Sequence, residues 1–278
     1  MDLAQLKFLL NQYKLTPNKV RGQNFLVSDQ VLNKIIDTAK LEEDELVLEV
    51  GPGLGALTQE LVKKVDQVVS FEVDKNFAKL LRKLENINKN LQIEWQDILS
   101  LTDQQWQNTL FKYQTEEYKV VANIPYYLTS KLINKFVSAK RKPQSMTLLI
   151  QNEVAERIVT KNNKHSLLSL AVAFYARAQL IDFVAKDNFY PIPKVNSAIL
   201  YIDQIKDWPY QVDESRAWQL VHHGFAAKRK KLINNLLSDK SIVKEQLVAI
   251  FDKIKLDKNI RAEDLSVQNW IELTQNLI

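Results

Sequence analysis

Short apolar runs alternate with amphipathic segments along the first two thirds of the chain. Two helical patterns, Leu3–Lys14 and Ser28–Lys40, come first. The runs typical of strands are Leu46–Val50, Val68–Val73, Leu91–Trp95, Lys119–Ala122, Met146–Gln151 and Ser197–Ile202. Helical periodicity lies between most of them, at Ala56–Lys64, Asn76–Leu84, Ser130–Ser138, Glu153–Val159 and Leu167–Ala176. This alternation predicts an α/β fold with a mostly parallel, doubly wound sheet.

The pattern changes after Asp203. A linker with a Trp-Pro pair, Ile205–Glu214, leads into a region that is helical throughout. The predicted helices there are Ser215–His223, Ala226–Leu237, Lys244–Lys255 and Val267–Ile278. We therefore predict an α/β domain over residues 1–204 and a smaller helical domain over residues 205–278.

Composition excludes several kinds of chemistry. The chain has 278 residues and no cysteine, so disulfides, thiolate nucleophiles and cysteine zinc sites are excluded. Only three histidines occur and two of them are adjacent, so we expect no metal site. No segment is typical of a secretion signal or a membrane span, and we expect a cytoplasmic protein without a membrane partner. The net charge of +5 suits a nucleic-acid partner, although a solvated basic surface explains it nearly as well.

Three of the five glycines fall within five residues, directly after the first predicted strand of the sheet. Gly51, Gly53 and Gly55 permit a tight turn and a close approach of a ligand to the backbone. The spacing G-x-G-x-G lacks the third glycine position of the dinucleotide fingerprint. A plain structural turn is the alternative.

Acidic residues stand at the ends of neighbouring predicted strands. Glu72 ends the second strand, where a carboxylate can accept hydrogen bonds from both hydroxyls of a ribose. Asp97 follows the third strand and can accept from an adenine amino group. Glu49, two residues ahead of Gly51, suits the cationic end of S-adenosylmethionine better than a pyrophosphate. Together these residues favour S-adenosylmethionine as the cofactor.

The loop Asn123-Ile124-Pro125-Tyr126 follows the fourth strand. The Asn123 side chain and the Ile124 carbonyl can accept the two hydrogens of an exocyclic amino group, and Pro125 sets the direction of the loop. Tyr126 offers a face for stacking a base. A strand followed by a proline turn with a buried tyrosine is the alternative. The loop therefore indicates a site for a flat, amino-bearing ring.

These motifs resemble the ribosomal RNA adenine dimethylase family. The resemblance runs from Gly22 to about Leu237, in the blocks Gly22–Leu26, Glu49–Gly55, Glu72–Asp74, Asp97–Ile98, Asn123–Ser130, Phe189–Ser197 and Phe225–Leu236. It implies a Rossmann-like methyltransferase domain that binds S-adenosylmethionine through Asn24, Leu26, Gly51, Glu72, Asp97 and Asn123. It also implies that a target adenine lies between Tyr126 and Phe189, although Phe189 alone is more typical of a core position.

The resemblance is greater to the branch that dimethylates N6 of two adjacent adenosines near the 3′ end of small-subunit ribosomal RNA. It implies the 30S particle as partner, and we expect a monomer. One departure is His165-Ser166, where many members carry Tyr-Gly. This departure affects a local loop rather than the site residues.

A basic run, Lys228, Arg229, Lys230 and Lys231, lies on the predicted helix Ala226–Leu237. One face of such a helix packs, and the other can follow RNA phosphates. A solvated face is the equally common alternative. Weaker basic clusters occur at Lys19 with Arg21 and at Lys140–Lys142.

Three other functions remain open from the sequence. An erythromycin-resistance type of enzyme would modify large-subunit RNA. A non-catalytic assembly factor would bind RNA with a vestigial cofactor pocket. A nicotinamide oxidoreductase fits the fold but leaves the Asn-Pro-Tyr loop without a role.

Overall fold

The computed structural model describes residues 1–18, 21–113, 115, 117–161 and 164–277. The chain divides into two compact units, the first formed by Met1–Ala155 with Ala176–Ile205 and the second by Glu156–Tyr175 with Lys206–Ile278. Lys206–Ile278, the larger part of the second unit, lies after the predicted boundary near residue 204. Residues 156–175, however, belong to the second unit and not to the first as predicted. Lys19, predicted to be part of a basic cluster, lies outside the described residues.

The helices of the first unit alternate with its strands. They are α1 (Leu3–Gln12), α2 (Asp29–Ala39), α3 (Ala56–Leu61), α4 (Ala78–Ile87), α5 (Asp103–Lys112) and α6 (Thr129–Ser138). The helix α7 (Asn152–Ile158) spans the boundary between the units. Ser28 caps α2 by accepting a hydrogen bond from the Val31 N–H, as the residue types at this start indicate.

The strands are β1 (Phe25–Leu26), β2 (Leu46–Val50), β3 (Gln67–Phe71), β4 (Leu91–Glu94), β5 (Lys119–Asn123), β6 (Ser145–Gln151), β7 (Arg177–Val184), β8 (Phe189–Tyr190) and β9 (Ser197–Asp203). Within the described residues, seven of them form one sheet in the order β4-β3-β2-β5-β6-β9-β7. The pairs from β4 to β6 are parallel, and β9 is antiparallel to both β6 and β7. The predicted mostly parallel, doubly wound sheet is confirmed.

Apolar residues cover both faces of the sheet. On one face Val47 and Ile199 pack with Leu6 of α1 and Ile35 of α2. On the other, aromatic rings form a cluster through edge and tilted contacts: Trp106, Tyr118, Phe136 and Phe71. Because both faces are buried, the central strands are mostly apolar, and the carboxyl ends of the parallel strands meet at one edge.

Two of the longer elements of the first unit, α5 and β7, were not predicted from the sequence. The helix α5 is rich in glutamine, although Thr102 and Gln105 form a capping box at its start. The strand β7 lies at the edge of the sheet and is mostly half-exposed, with a bulge between Leu180 and Asp182. Exposure on both sides removes the apolar run by which the other strands are found.

The second unit is helical. It contains α8 (Leu167–Tyr175), α9 (Glu214–Phe225), α10 (Leu232–Leu236), α11 (Lys244–Lys253) and α12 (Val267–Asn276). Trp270 of α12 is fully buried against Gly224 of α9, where an added Cβ would lie 2.4 Å from the Trp270 Cη2 atom. The absence of a side chain at Gly224 therefore permits this close packing.

Candidate functional site

The glycine-rich turn connects β2 to α3 at the carboxyl edge of the sheet. Gly51, Gly53 and Gly55 all have positive φ, at 73°, 54° and 77°, which a residue with a Cβ adopts only with strain. A Cβ at Gly53 would also lie 3.1 Å from Cε1 of the Phe25 ring. The turn therefore requires glycine at Gly53 for two independent reasons, and it exposes its backbone to the pocket.

Glu72 follows β3 directly and lies beside this turn. Its Oε2 accepts a hydrogen bond from the Gly53 N–H at 3.2 Å, and its Oε1 accepts from the N–H groups of Val73 and Asp74 at 2.8 and 2.7 Å. Burial raises the pKa of Glu72, and the backbone hydrogen bonds oppose that rise. The carboxylate is thus held rigidly at the end of the second strand of the sheet, where the sequence predicts it.

Glu49 differs from the sequence expectation. Its Oε2 accepts hydrogen bonds from Thr58 Oγ1 of α3 and Ser70 Oγ of β3, both at 2.7 Å. The side chain is 1% exposed, and burial raises its pKa to about 7. Glu49 lines the pocket, but these contacts give it the role of a connection between three elements rather than that of a free ligand carboxylate.

Two further acids extend the site toward β4 and the N-terminal loop. Asp97 is exposed, and its Oδ1 accepts from the Leu99 N–H at 2.9 Å. Asp74 accepts at Oδ2 from the side-chain amide of Gln23 at 2.9 Å. Gln23 was not predicted as a site residue, although it lies within the Gly22–Leu26 block; its hydrogen bond attaches that loop to the end of β3.

The N-terminal loop is attached to the site at two other points. The Asn24 carbonyl accepts from the Asn123 side-chain amide at 3.5 Å, which is at the long limit for a hydrogen bond. Leu26 of β1 pairs with Phe189 of β8 in a short antiparallel ladder. This ladder positions Phe189, which is 2% exposed, at the wall of the pocket.

The Asn123–Tyr126 loop leaves the end of β5 beside the glycine turn. The Ile124 N–H donates to the Leu149 carbonyl at 3.2 Å, which continues the pairing of β5 with β6. A Cβ at Gly51 would lie 3.9 Å from Pro125 Cδ, so the proline packs against the glycine turn. The Pro125 carbonyl accepts from the Leu128 N–H and closes a short 3-10 turn.

Tyr126 is half-buried at the start of that turn. Its hydroxyl is 2.9 Å from Ser197 Oγ, at the first residue of β9. Burial raises the pKa of Tyr126, so the phenol keeps its proton at neutral pH. The ring of Tyr126 is therefore fixed at both ends, by the backbone of the turn and by this hydrogen bond.

All of the predicted cofactor and target-base residues line one pocket in the first unit. They are Asn24, Leu26, Gly51, Gly53, Glu72, Asp97, Asn123, Ile124, Pro125, Tyr126 and Phe189. The lining also contains exposed Tyr127 and Val73, which the sequence did not single out as ligands. The structure thus brings together residues that lie up to 165 positions apart, between Asn24 and Phe189 (189 − 24).

The prediction of a continuous basic helix over Ala226–Leu237 is wrong. The helix α9 ends at Phe225 and α10 begins at Leu232, and the basic run lies in the exposed turn between them. The buried Asn235 donates from its side-chain amide to the carbonyls of Gly224 and Ala227, at 2.6 and 3.0 Å. These hydrogen bonds hold the chain in a turn where the charge pattern alone favours a continuous helix.

Within the described ranges, no group of histidine, cysteine, aspartate and glutamate side chains could hold a metal ion. Over the same part of the chain, no helix has the length and apolar character that crossing a membrane requires.

The sheet order, the glycine turn and the acids at the strand ends define a Rossmann-like methyltransferase fold. Two solved structures share it over most of both chains. The 23S rRNA methyltransferase ErmE is 24% identical with a TM-score of 0.71, over 91% of this chain and 99% of that one. A dimethyladenosine transferase from Plasmodium falciparum is 22% identical with a TM-score of 0.72, over 90% and 95%.

Sequence relatives identify the family. The model of the ribosomal RNA adenine dimethylase family matches residues 15–278. Curated relatives called ribosomal RNA small subunit methyltransferase A are 38% identical in Dehalococcoides mccartyi (98% of this chain, 92% of the relative) and 36% identical in Fusobacterium nucleatum (92% and 95%). The chain therefore belongs to the ribosomal RNA adenine dimethylase family.

Proposed function

We propose that the chain transfers methyl groups from S-adenosylmethionine to N6 of two adjacent adenosines near the 3′ end of small-subunit ribosomal RNA. The observation that carries the proposal is the pocket itself, in which an amide, a glycine turn and acids from three strand ends converge. The names of the curated relatives support the small subunit as substrate. The proposal includes action on the 30S particle by a cytoplasmic, monomeric enzyme.

The pocket residues fit S-adenosylmethionine. Glu72, Asp74 and Asp97 all line the pocket, and this concentration of acids favours a cationic ligand over a pyrophosphate. Glu72 accepts hydrogen bonds from three backbone N–H groups and keeps one lone pair, on Oε2, for a ribose hydroxyl. Asp97 is exposed to accept from an adenine amino group. When bound, this cofactor would supply a methyl group on a positively charged sulfur.

Asn123 is oriented for its proposed role by the N-terminal loop. Its Nδ2 donates to the Asn24 carbonyl, so its Oδ1, at the other end of the planar amide group, is directed away from that carbonyl. There Oδ1 and the Ile124 carbonyl would accept the two hydrogens of the target amino group. Both acceptors become more strongly bonded as positive charge builds on N6, so they stabilise the transition state more than the ground state.

Tyr126 and Phe189 would hold the target ring between them. An adenine must leave its helix before its N6 reaches this pocket, and stacking on aromatic rings compensates part of that cost. No general base is required at Asn123, because the acceptors orient the nitrogen rather than ionise it. Positioning thus supplies most of the proposed catalysis.

The proposal is tested by methyl transfer from labelled S-adenosylmethionine to small subunits that lack the modification, with large subunits in parallel. We expect dimethyladenosine only in the small-subunit RNA. Asn123→Ala should lower the rate of transfer by about 100-fold or more, because it removes a donor-acceptor group that acts on the reacting nitrogen.

Asn134→Ala is the matched control, since Asn134 is an exposed asparagine on α6. It should leave the rate unchanged. Transfer only to large-subunit RNA would contradict the proposed substrate. Tight RNA binding without transfer to either RNA would contradict the proposed activity and favour an assembly factor.

A further inference from the structure

We infer that Ser197 is a positioning residue for the target base. Its hydroxyl fixes the ring of Tyr126, and that ring aligns the base for methyl transfer. This inference rests on the proposed function, because it assigns a role within the same site. Nothing in the sequence motifs singles out Ser197 from the other residues at the end of the Phe189–Ser197 block. In the folded chain, its contact with Tyr126 distinguishes it.

Ser197 is fully buried, and its hydroxyl lies 2.9 Å from the Tyr126 hydroxyl. Buried hydroxyls need a partner, and here each group satisfies the other. Because the Tyr126 phenol remains protonated at neutral pH, the hydrogen bond persists over the working range of the enzyme. The contact joins residues that are 71 positions apart in the chain.

The backbone around Ser197 is rigid. Its strand β9 lies between β6 and β7, and Ser197 is paired with Gln151 on one side and Val184 on the other. The side chain thus projects from a fixed point in the sheet. Tyr126, in contrast, sits in a short turn, where its ring would otherwise rotate about its side-chain bonds.

The same segment also carries the opposite aromatic residue. Phe189 begins the block that Ser197 ends, and Phe189 is fixed by its pairing with Leu26. The hydrogen bond between Tyr126 and Ser197 therefore attaches the Tyr126 ring to the same chain segment, residues 189–197, that carries the Phe189 ring. After loss of the hydrogen bond between Tyr126 and Ser197, the target base should still enter the pocket but should spend less time in the orientation that methyl transfer requires.

The experiment measures single-turnover methyl transfer to small-subunit RNA at saturating S-adenosylmethionine for four proteins: the unaltered chain, Ser197→Ala, Tyr126→Phe and the double variant. Each single change removes the same hydrogen bond from one end. We expect each to slow transfer about three- to tenfold, the range that corresponds to one hydrogen bond. The double variant should be no slower than the slower single variant, because there is only one bond to lose.

Two readouts separate positioning from a general structural role. The dissociation constant of S-adenosylmethionine and the thermal midpoint should change little, while the rate of transfer falls. Thr147→Val is the matched control, since Thr147 lies on the neighbouring strand β6 and its buried hydroxyl has no hydrogen-bond partner within the described part of the chain. It should transfer methyl groups at the unaltered rate.

Unaltered rates in both single variants would overturn the inference, and so would costs that multiply in the double variant. A fall in thermal midpoint without a change in rate would show a purely structural hydroxyl and would also overturn it. In each of these cases the unaltered chain remains active, so the proposed function stands. Absence of transfer by the unaltered chain would instead reject the proposed function.

Discussion

Two glycines, Gly53 and Gly224, are required for different physical reasons. Gly53 has φ of 54° and faces the Phe25 ring, so both its backbone conformation and its surroundings exclude a Cβ. Gly224 lies in the helix α9, and only its packing against Trp270 and Leu232 excludes one. The two positions lie in different compact units, so their substitution to alanine should have separable effects.

Gly53→Ala should weaken the binding of S-adenosylmethionine by about tenfold or more. A left-handed conformation costs an L-residue roughly 1–2 kcal/mol, and the new methyl group would also displace Phe25 or the turn that donates to Glu72. Isothermal titration calorimetry measures the effect. Binding equal to that of the unaltered chain would show that the turn does not form part of the cofactor site.

Gly224→Ala should destabilise the second unit by about 1–3 kcal/mol, which is typical of overpacking in a core. The new Cβ would lie 2.4 Å from the indole ring of Trp270, which is fully buried. Urea unfolding followed by tryptophan fluorescence measures the change. Cofactor binding should remain unchanged, and each glycine variant is therefore the control for the other.

At the level of elements, Glu49 joins β2 to β3 and α3 through two hydroxyls. A raised pKa in the folded state means that the folded chain binds a proton that the unfolded chain has already released, between pH 4.5 and about 7. The contribution of Glu49 to stability is therefore greatest below pH 4.5 and is lost as the pH rises through about 7. Burial thus makes this junction sensitive to pH.

In that window the free energy of unfolding should fall by about 1.4 kcal/mol for each pH unit because of Glu49. Glu49→Gln removes the titration and should give a flatter dependence. Glu72 faces the same site and its pKa is raised as well, so some slope of the same sign should remain in the variant. Urea unfolding from pH 4.5 to 8 in both proteins measures the difference; parallel curves would show that folding does not raise the pKa of Glu49.

On the scale of the whole molecule, the net charge of +5 is small, so the placement of cations matters more than their number. The turn between α9 and α10 exposes Lys228, Arg229, Lys230 and Lys231 together. A turn presents all of its side chains to solvent, whereas a helix of the same sequence would direct some of them toward its packed face. The turn leaves all four side chains exposed, which supports the proposed contact of this run with RNA phosphates.

Replacement of these four residues by alanine should weaken RNA binding and reduce its dependence on salt concentration. Each phosphate contact that is lost should lower the slope of log K against log salt by about 0.7–0.9. The matched control replaces four exposed cations on and after α4, namely Lys79, Arg82, Lys83 and Lys89. Filter binding at several salt concentrations measures both variants. Equal losses would show that only net charge matters, while unchanged urea unfolding transitions would confirm that both variants are folded.

Much of the α/β unit was predictable because local pattern and final environment agree there. The strands β2 and β6 are apolar runs that end up buried on both faces, and the glycine turn after β2 follows from its own residues. The edge strand β7 and the polar helix α5 were missed, because partial exposure leaves little apolar signal.

The sequence by itself determined the parallel strands of the sheet, the glycine turn, the family and a group of the residues that line the pocket, since each depends on short segments with specific chemistry. Tertiary structure alone decided which groups meet across long separations. In the folded chain Glu49 accepts hydrogen bonds from Thr58 and Ser70. Tyr126 is hydrogen-bonded to Ser197, and Asn235 holds the turn that ends α9. These outcomes depend on burial, because a buried polar group must find its partner wherever the fold places one, and no local pattern records that place.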